Sequence, residues 1–383
     1  MIIKRIIESI SLLMLMMLVN SISGCHNNDE VKEEIPVGVV LPLSGSLEAL
    51  GVTLRNAAEL ALEEINAKNN VPQSKNLRFI IEDSGSTPEG AVAAYNKLIQ
   101  NDGVNFIIGP TTSSASKEAF PIAQQNQVIG FSPLAAAKGL SDIGDFIFQA
   151  NLTVDVVIPG GVELTVNQFG YQKVAILVDN TDLFSQSANN VLVETFNNKG
   201  IEILATEILA TNDTDFTAQL THIKTLNPDA IFISTLPNEA VRILTQARTI
   251  GIPNNVTIII PLAFSTVEVE QAGSAAEGVV TFSTWVSTAE TPGNQAFVES
   301  YQEQYGAEPS RFLAQQYAAV HIFAEALNTA QATDSSAIRD ALLSIKDFDT
   351  ILGKFSFESS GRAVYDPIIL VVKNGKLEVL SNP

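Results

Sequence analysis

The stretch with the clearest chemical capacity is Phe106-Ile107-Ile108-Gly109-Pro110-Thr111-Thr112-Ser113-Ser114, which runs from an apolar triplet into a helix start. Free N–H groups in a helix's first turn, with the positive end of the helix dipole, favour a carboxylate or another small anion. Hydroxyls at Ser113 and its neighbours Thr112 and Ser114 can add donors. Simple N-capping by Ser113 or Thr112 accounts for the same residues equally well. Other chemistry is thin. Ser114-Ala115-Ser116-Lys117 matches SxxK, but the partner motifs SDN and KTG are missing, and a helix's first turn suits it better. No GxGxxG, Walker loop or GxSxG elbow is present. Asp83, Asp179 and Asp182 follow strand ends, where α/β sites lie, although solvated loop acids are the commoner case.

Sulfur is confined to one end. All four methionines and the single cysteine, Cys25, fall within the first 25 of 383 residues. Disulfides, thiolate zinc sites and cysteine nucleophiles are therefore excluded from the body. His26, His222 and His321 are scattered without metal-ligand spacing. The expectation is a protein that is not an enzyme and carries no metal or cofactor. With 42 acidic against 22 basic residues the net charge is −20, which repels phosphate backbones and argues against nucleic-acid binding. A 46% hydrophobic content, regularly placed, argues against disorder and suits two ordinary domains.

The elements that must position the helix-start site alternate. Val37–Leu43 reads as a buried strand ended by Pro42. A helix follows, with Leu54, Ala57, Ala58, Ala61, Leu62 and Ile65 on one face. Strands at 78–82, 106–109 and 128–131 then alternate with helices at 91–100 and 114–126. The pattern restarts with strands at 173–178, 202–208, 230–235 and 257–260 and helices at 187–199, 216–226 and 238–250. Continuous apolar strands alternating with helices predict parallel sheets covered on both faces, hence two similar α/β lobes. Helices near 292–305, 311–329 and 336–345 and a hairpin turning at Asn374-Gly375 complete the chain.

The N-terminus reads as an address. Lys4 and Arg5 precede an apolar run from Ile10 to Val19, as in a signal peptide spanning 1–24. Ile22-Ser23-Gly24-Cys25 resembles the bacterial lipobox, which implies lipidation of Cys25. Residues 25–34 are polar and read as a tether. The protein is expected to be exported and lipid-anchored in the cell envelope, in the periplasm or on the outer face of the cytoplasmic membrane.

Beyond residue 36 the sequence resembles the type I periplasmic solute-binding proteins of the branched-chain amino acid (Leu/Ile/Val-binding) family of ABC importers. The resemblance rests on VGVVLPLSGSLEALGVTLRNAAELALEEIN (37–66), VNFIIGPTTSSASKEAFPIA (104–123), VIGFSPLAAA (128–137), AILVDNTDLFSQSA (175–188), QARTIGI (246–252) and the closing GKFSFESSGRA…VVKNGKLEVL. It implies two Rossmann-like lobes joined by a three-crossover hinge and closing on a small solute. The mapped lobes are 35–154 plus 286–362 and 155–285 plus 363–383. It also implies a monomer that delivers its solute to an ABC permease in the cytoplasmic membrane.

By that resemblance a solute carboxylate is held at Ser113 and at the loop after Ser132-Pro133, and the backbone carbonyl of Leu134 helps take an ammonium. The family's side-chain ligands are replaced: threonine by Ala136, tyrosine by Phe184 (or Leu183), the ammonium-neutralising acid by Leu262, and a first-loop aromatic by Leu50. Trp285, near the second crossover, lines the cleft or simply packs. A buried ammonium without a counter-charge is costly, so weak binding of free amino acids is expected unless another acid such as Asp182 substitutes. A small apolar acid or amide is the expected cargo, with a branched-chain or other hydrophobic amino acid as the family-level assignment. A ligand-binding sensor for a membrane signalling protein is the alternative, and a hydrolase on the same fold is a third reading that no motif supports.

Overall fold

The computed structural model describes residues 33–68, 71–72 and 75–380, so the leader, Cys25 and nearly all of the tether lie outside the described residues. Strands β1 (Glu34–Leu41), β2 (Asn76–Asp83), β3 (Phe106–Ile108), β4 (Ile129–Ser132) and β5 (Ile147–Gln149) form a parallel sheet in the order β2-β1-β3-β4-β5. β1 starts three residues earlier than the sequence suggested. Pro36 falls where β1 is paired on one side only, so a missing N–H is tolerated there. Helices α1 (Glu48–Ala67), α2 (Pro88–Gln100) and α3 (Ser113–Asn126) connect these strands. Helix α1 buries Leu54, Ala57, Ala58, Ala61 and Ile65, the face its periodicity predicts.

The second lobe is built on β6 (Lys173–Asp179), β7 (Glu202–Leu209), β8 (Ala230–Ser234), β9 (Thr257–Ile259) and β10 (Val280–Ser283), all parallel. Every residue of β8 is buried, as a strand covered on both faces requires. Its helices are α4 (Val154–Phe169), α5 (Leu183–Lys199), α6 (Thr217–Leu226), α7 (Pro237–Ile250) and α8 (Thr266–Ala272). Helices α9 (Asn294–Tyr305), α10 (Arg311–Ala330) and α11 (Ser335–Ser344) follow, and then the small antiparallel sheet β11 (Phe348–Thr350), β12 (Gly353–Phe357) and β13 (Ala363–Val364). These return to the first lobe: Tyr305 donates to the Asn56 carbonyl, Tyr317 to Glu64, and Gln149 bridges to Arg362. The chain ends in the hairpin β14 (Ile368–Lys373) and β15 (Lys376–Val379), which adds two antiparallel strands to the second sheet beside β10. The path thus passes between lobes three times, near Asn151, Thr284 and Tyr365.

Candidate functional site

In each lobe the carboxyl ends of parallel strands face the amino ends of the following helices, and the two lobes bring these rims together. Between them lies a cavity of about 530 Å³, its open mouth included. The first lobe contributes Leu50, Thr112, Ser113, Leu134 and Ala136, and the second contributes Phe184 and Leu262. Seven residues singled out from the sequence therefore meet in one place. Leu47, Leu236 and Phe312 add to the apolar wall.

The loop between β3 and α3 settles which hydroxyl caps the helix. Gly109 takes φ +112 against the Val40 carbonyl, a position that admits no side chain. Thr112 is the N-cap, its Oγ1 accepting from the Ala115 N–H at 3.2 Å. Ser113 follows, 1% exposed, and its Oγ accepts from the backbone N–H groups of Ala136 (3.2 Å) and Ala137 (3.1 Å). Both acceptor positions of that hydroxyl are thereby used, leaving its hydrogen as the free function. The Ser132 hydroxyl clamps the neighbouring loop, donating to the Pro110 carbonyl at 2.7 Å and accepting from Ala135 at 3.0 Å. The Leu134 carbonyl accepts from Asn151 Nδ2 at 2.8 Å.

Ser114 and Trp285 do not line this cavity. The Ser114 hydroxyl points across to the other lobe, donating to Asp182 at 2.9 Å and accepting from the Leu183 N–H at 3.0 Å. The Trp285 indole donates to Asn294 at 2.7 Å and packs edge-on against Phe297, bordering a neighbouring cavity. The three strand-end acids serve their own loops. Asp83 gathers Leu43, Ser44 and Gly85; although burial works to raise it, these hydrogen bonds hold its carboxyl below the ordinary range. Asp179 binds Thr181 and Thr211. Asp182 caps α5 through the Ser185 N–H at 2.9 Å, and burial pushes its carboxyl up. Asp182 is thus committed elsewhere and does not supply the cavity with an acid.

Further bonds cross between the lobes: Lys138 N–H to Ser187 at 3.0 Å, and Asn238 to the Ser46 carbonyl at 3.1 Å. With Ser114–Asp182 they hold the lobes closed over the cavity. Replacing Ser114 with alanine should weaken closure by about 1 kcal/mol, the worth of a typical hydrogen bond. Small-angle scattering would then show a larger radius of gyration; an unchanged profile would rule out a latching role.

Sequence reasoning missed Arg311. It opens α10, lines the cavity and is 4% exposed. Its Nη1 donates to Gln315 Oε1 at 3.2 Å, its guanidinium lies 4.1 Å from the Phe312 ring centre, and its buried Nε has no partner. Burial pulls it down to about 10, so it stays cationic at neutral pH. Gln315 in turn donates to Asn151 and to Thr284 (2.8 Å), with Tyr365 alongside, so one residue from each passage between lobes meets beneath Arg311.

A two-lobed fold closed over a cavity at its helix starts defines a solute-receptor architecture. The chain belongs to the periplasmic binding protein family, whose profile matches residues 34–376. Over 330 residues it is 26% identical to the Leu/Ile/Val-binding protein BraC3 of Rhizobium johnstonii, covering 86% of this chain and 88% of the other. It superposes on the branched-chain amino acid transporter substrate-binding protein LivJ of Streptococcus pneumoniae, solved in complex with isoleucine, with a TM-score of 0.82 and 30% identity. That match covers 91% of this chain and 99% of LivJ. A solute-binding protein of Rhodopseudomonas palustris, solved in complex with benzoate, shares the fold at a TM-score of 0.82 and 20% identity, over 91% and 95% of the two chains.

Proposed function

We propose that the protein is the extracytoplasmic receptor of an ABC importer, closing its lobes over one small, largely apolar solute and handing it to a permease. The cavity walled by both lobes carries this reading: Ser113 and the start of α3 come from one side, Phe184 and Leu262 from the other. Occupancy and closure are then one equilibrium, because the solute touches both lobes only when they meet. A carboxylate suits the free Ser113 hydroxyl hydrogen beside the amino end of α3. Leu50, Phe184 and Leu262 give the rest of the solute apolar surroundings. In this reading 35–154 plus 286–362 move as one lobe against 155–285 plus 363–383, and lipid on Cys25 keeps the receptor at the envelope surface.

The family-level cargo is a branched-chain or other hydrophobic amino acid. An ammonium-free apolar carboxylate or amide fits the lining better, since Ala136 offers no hydroxyl and Leu262 no charge. The fold itself accommodates such an acid, as the benzoate-bound relative illustrates. Thermal melts against leucine, isoleucine, valine, phenylalanine, their deaminated acids, aromatic acids and short amides test the reading. A solute at a hundred times its Kd stabilises by about 2.7 kcal/mol, which such a melt resolves. If no member of the panel shifts the melt, the cavity is not a site for this class.

A further inference from the structure

Among the described residues the lining of the cavity includes Arg311 and no aspartate or glutamate. Asp182, which caps α5, and Glu268, whose field Arg311 feels, stand outside that lining. Five helices begin on the cavity: α1 after Leu47, α3 after Thr112, α5 just before Phe184, α7 after Leu236, and α10 at Arg311 itself. Each amino end carries partial positive charge, and Arg311 sits at such an end, where a cation is locally unfavourable.

A guanidinium buried for structural reasons is normally answered by a carboxylate or by several carbonyl groups. Arg311 has neither. Among the described residues no carboxylate lies within 4.0 Å of it, its one hydrogen-bond acceptor is Gln315, and its Nε is buried without a partner. Glu268, the acid whose field it feels, is occupied by the Ser265 N–H and hydroxyl in a capping box. Arg311 borders both this cavity and the neighbouring one that Glu270 and Glu308 line, and an anion entering the solute cavity would complement the remaining donors of its fork.

We propose that the cavity selects solutes of net negative charge, namely apolar monocarboxylates without an ammonium group, and that Arg311 is the residue that sets this selection. The proposal rests on the reading of the cavity as the solute site. A zwitterionic amino acid would bring its ammonium among five helix amino ends and a guanidinium with no acid to receive it. The corresponding 2-oxo or deaminated acid brings only the carboxylate that these groups favour. Because Arg311 leans on Gln315, the same contact places the selected charge directly above the junction of the three passages between lobes.

Isothermal titration of the purified protein and its Arg311→Gln and Arg311→Lys variants tests this with leucine, 4-methylpentanoate, 4-methyl-2-oxopentanoate and benzoate. The parent should bind at least one acid about tenfold or more tightly than leucine, and Arg311→Gln should weaken that acid on the order of 100-fold but leucine by a clearly smaller factor, because the same guanidinium attracts leucine's carboxylate and repels its ammonium. Arg311→Lys, which keeps the charge, should retain part of the preference and controls for folding together with the melts. Tighter binding of leucine than of every acid overturns the proposal and leaves the cavity as the solute site. Equal loss of leucine and acid in Arg311→Gln means that Arg311 serves the carboxylate common to both or only packs, and it overturns the assigned selectivity. Binding of no solute at all defeats the reading of the cavity first, and this proposal with it.

Discussion

Replacing Ser113 with alanine is expected to remove about 3 kcal/mol of stability even with no solute present, far more than a surface serine would. The Ser113 hydroxyl receives two buried N–H groups, from Ala136 and Ala137. Alanine leaves both without an acceptor, and each unsatisfied buried donor costs about 1–3 kcal/mol. Thr112→Ala offers a comparison within the same turn: it loses one cap, worth about 1 kcal/mol. The two loops that Ser113 ties together carry Leu134 and Ala136 to the cavity, so Ser113→Ala should also weaken solute binding, whereas Thr112→Ala should affect chiefly the melt. Urea unfolding of both variants, followed by titration with whichever solute stabilises the parent, separates the contributions. A Ser113→Ala protein within about 0.5 kcal/mol of the parent, the range of an ordinary surface substitution, would mean that the hydroxyl does not hold the loop.

The α/β series was legible because buried parallel strands and one-sided helices write distinct periods into the chain. Helix α1 shows this: the apolar spacing from Leu54 to Ile65 is the buried face. Helix α4 was not legible. Valines, Pro159 and the pair Gly160-Gly161 all argue locally against a helix, yet Gly161 is where the Phe282 ring rests on bare backbone. That contact joins residues 121 apart and leaves no local trace. The rims of the cavity were readable from strand-to-helix junctions, but the direction of a side chain at a junction was not. Ser113 and Ser114 are neighbours with similar chemistry; one faces the cavity and the other the opposite lobe. Arg311 was hidden for a related reason, since its burial arises where three passages of chain converge. One signal was available: a cation in the first turn opposes the helix dipole, and a local conflict of that kind marks a residue held by something outside its own helix.

Gly51→Ala is expected to destabilise the protein by about 3 kcal/mol, reversing the usual sign of a glycine-to-alanine change within a helix. Alanine in a helix interior ordinarily gains about 1 kcal/mol by propensity and by restricting the unfolded chain. At Gly51, in the first turns of α1, a Cβ would stand 2.0 Å from the Pro42 carbonyl oxygen and 2.5 Å from its carbon. Both atoms are backbone, so no rotamer change relieves the clash; either α1 or the loop after β1 must shift. Gly160→Ala in α4 is the counter-example, because its Cβ would meet nothing within 4 Å, and it should stabilise by about 0.5–1 kcal/mol. Differential melts of the two variants read opposite signs from the same chemical change. The shift forced by Gly51→Ala would also displace Leu47 and Leu50, which α1 carries to the cavity, so solute affinity should fall together with stability. A Gly51→Ala protein as stable as its parent would mean that α1 does not lie against the Pro42 carbonyl, and the apolar wall would lose the element that holds it in place.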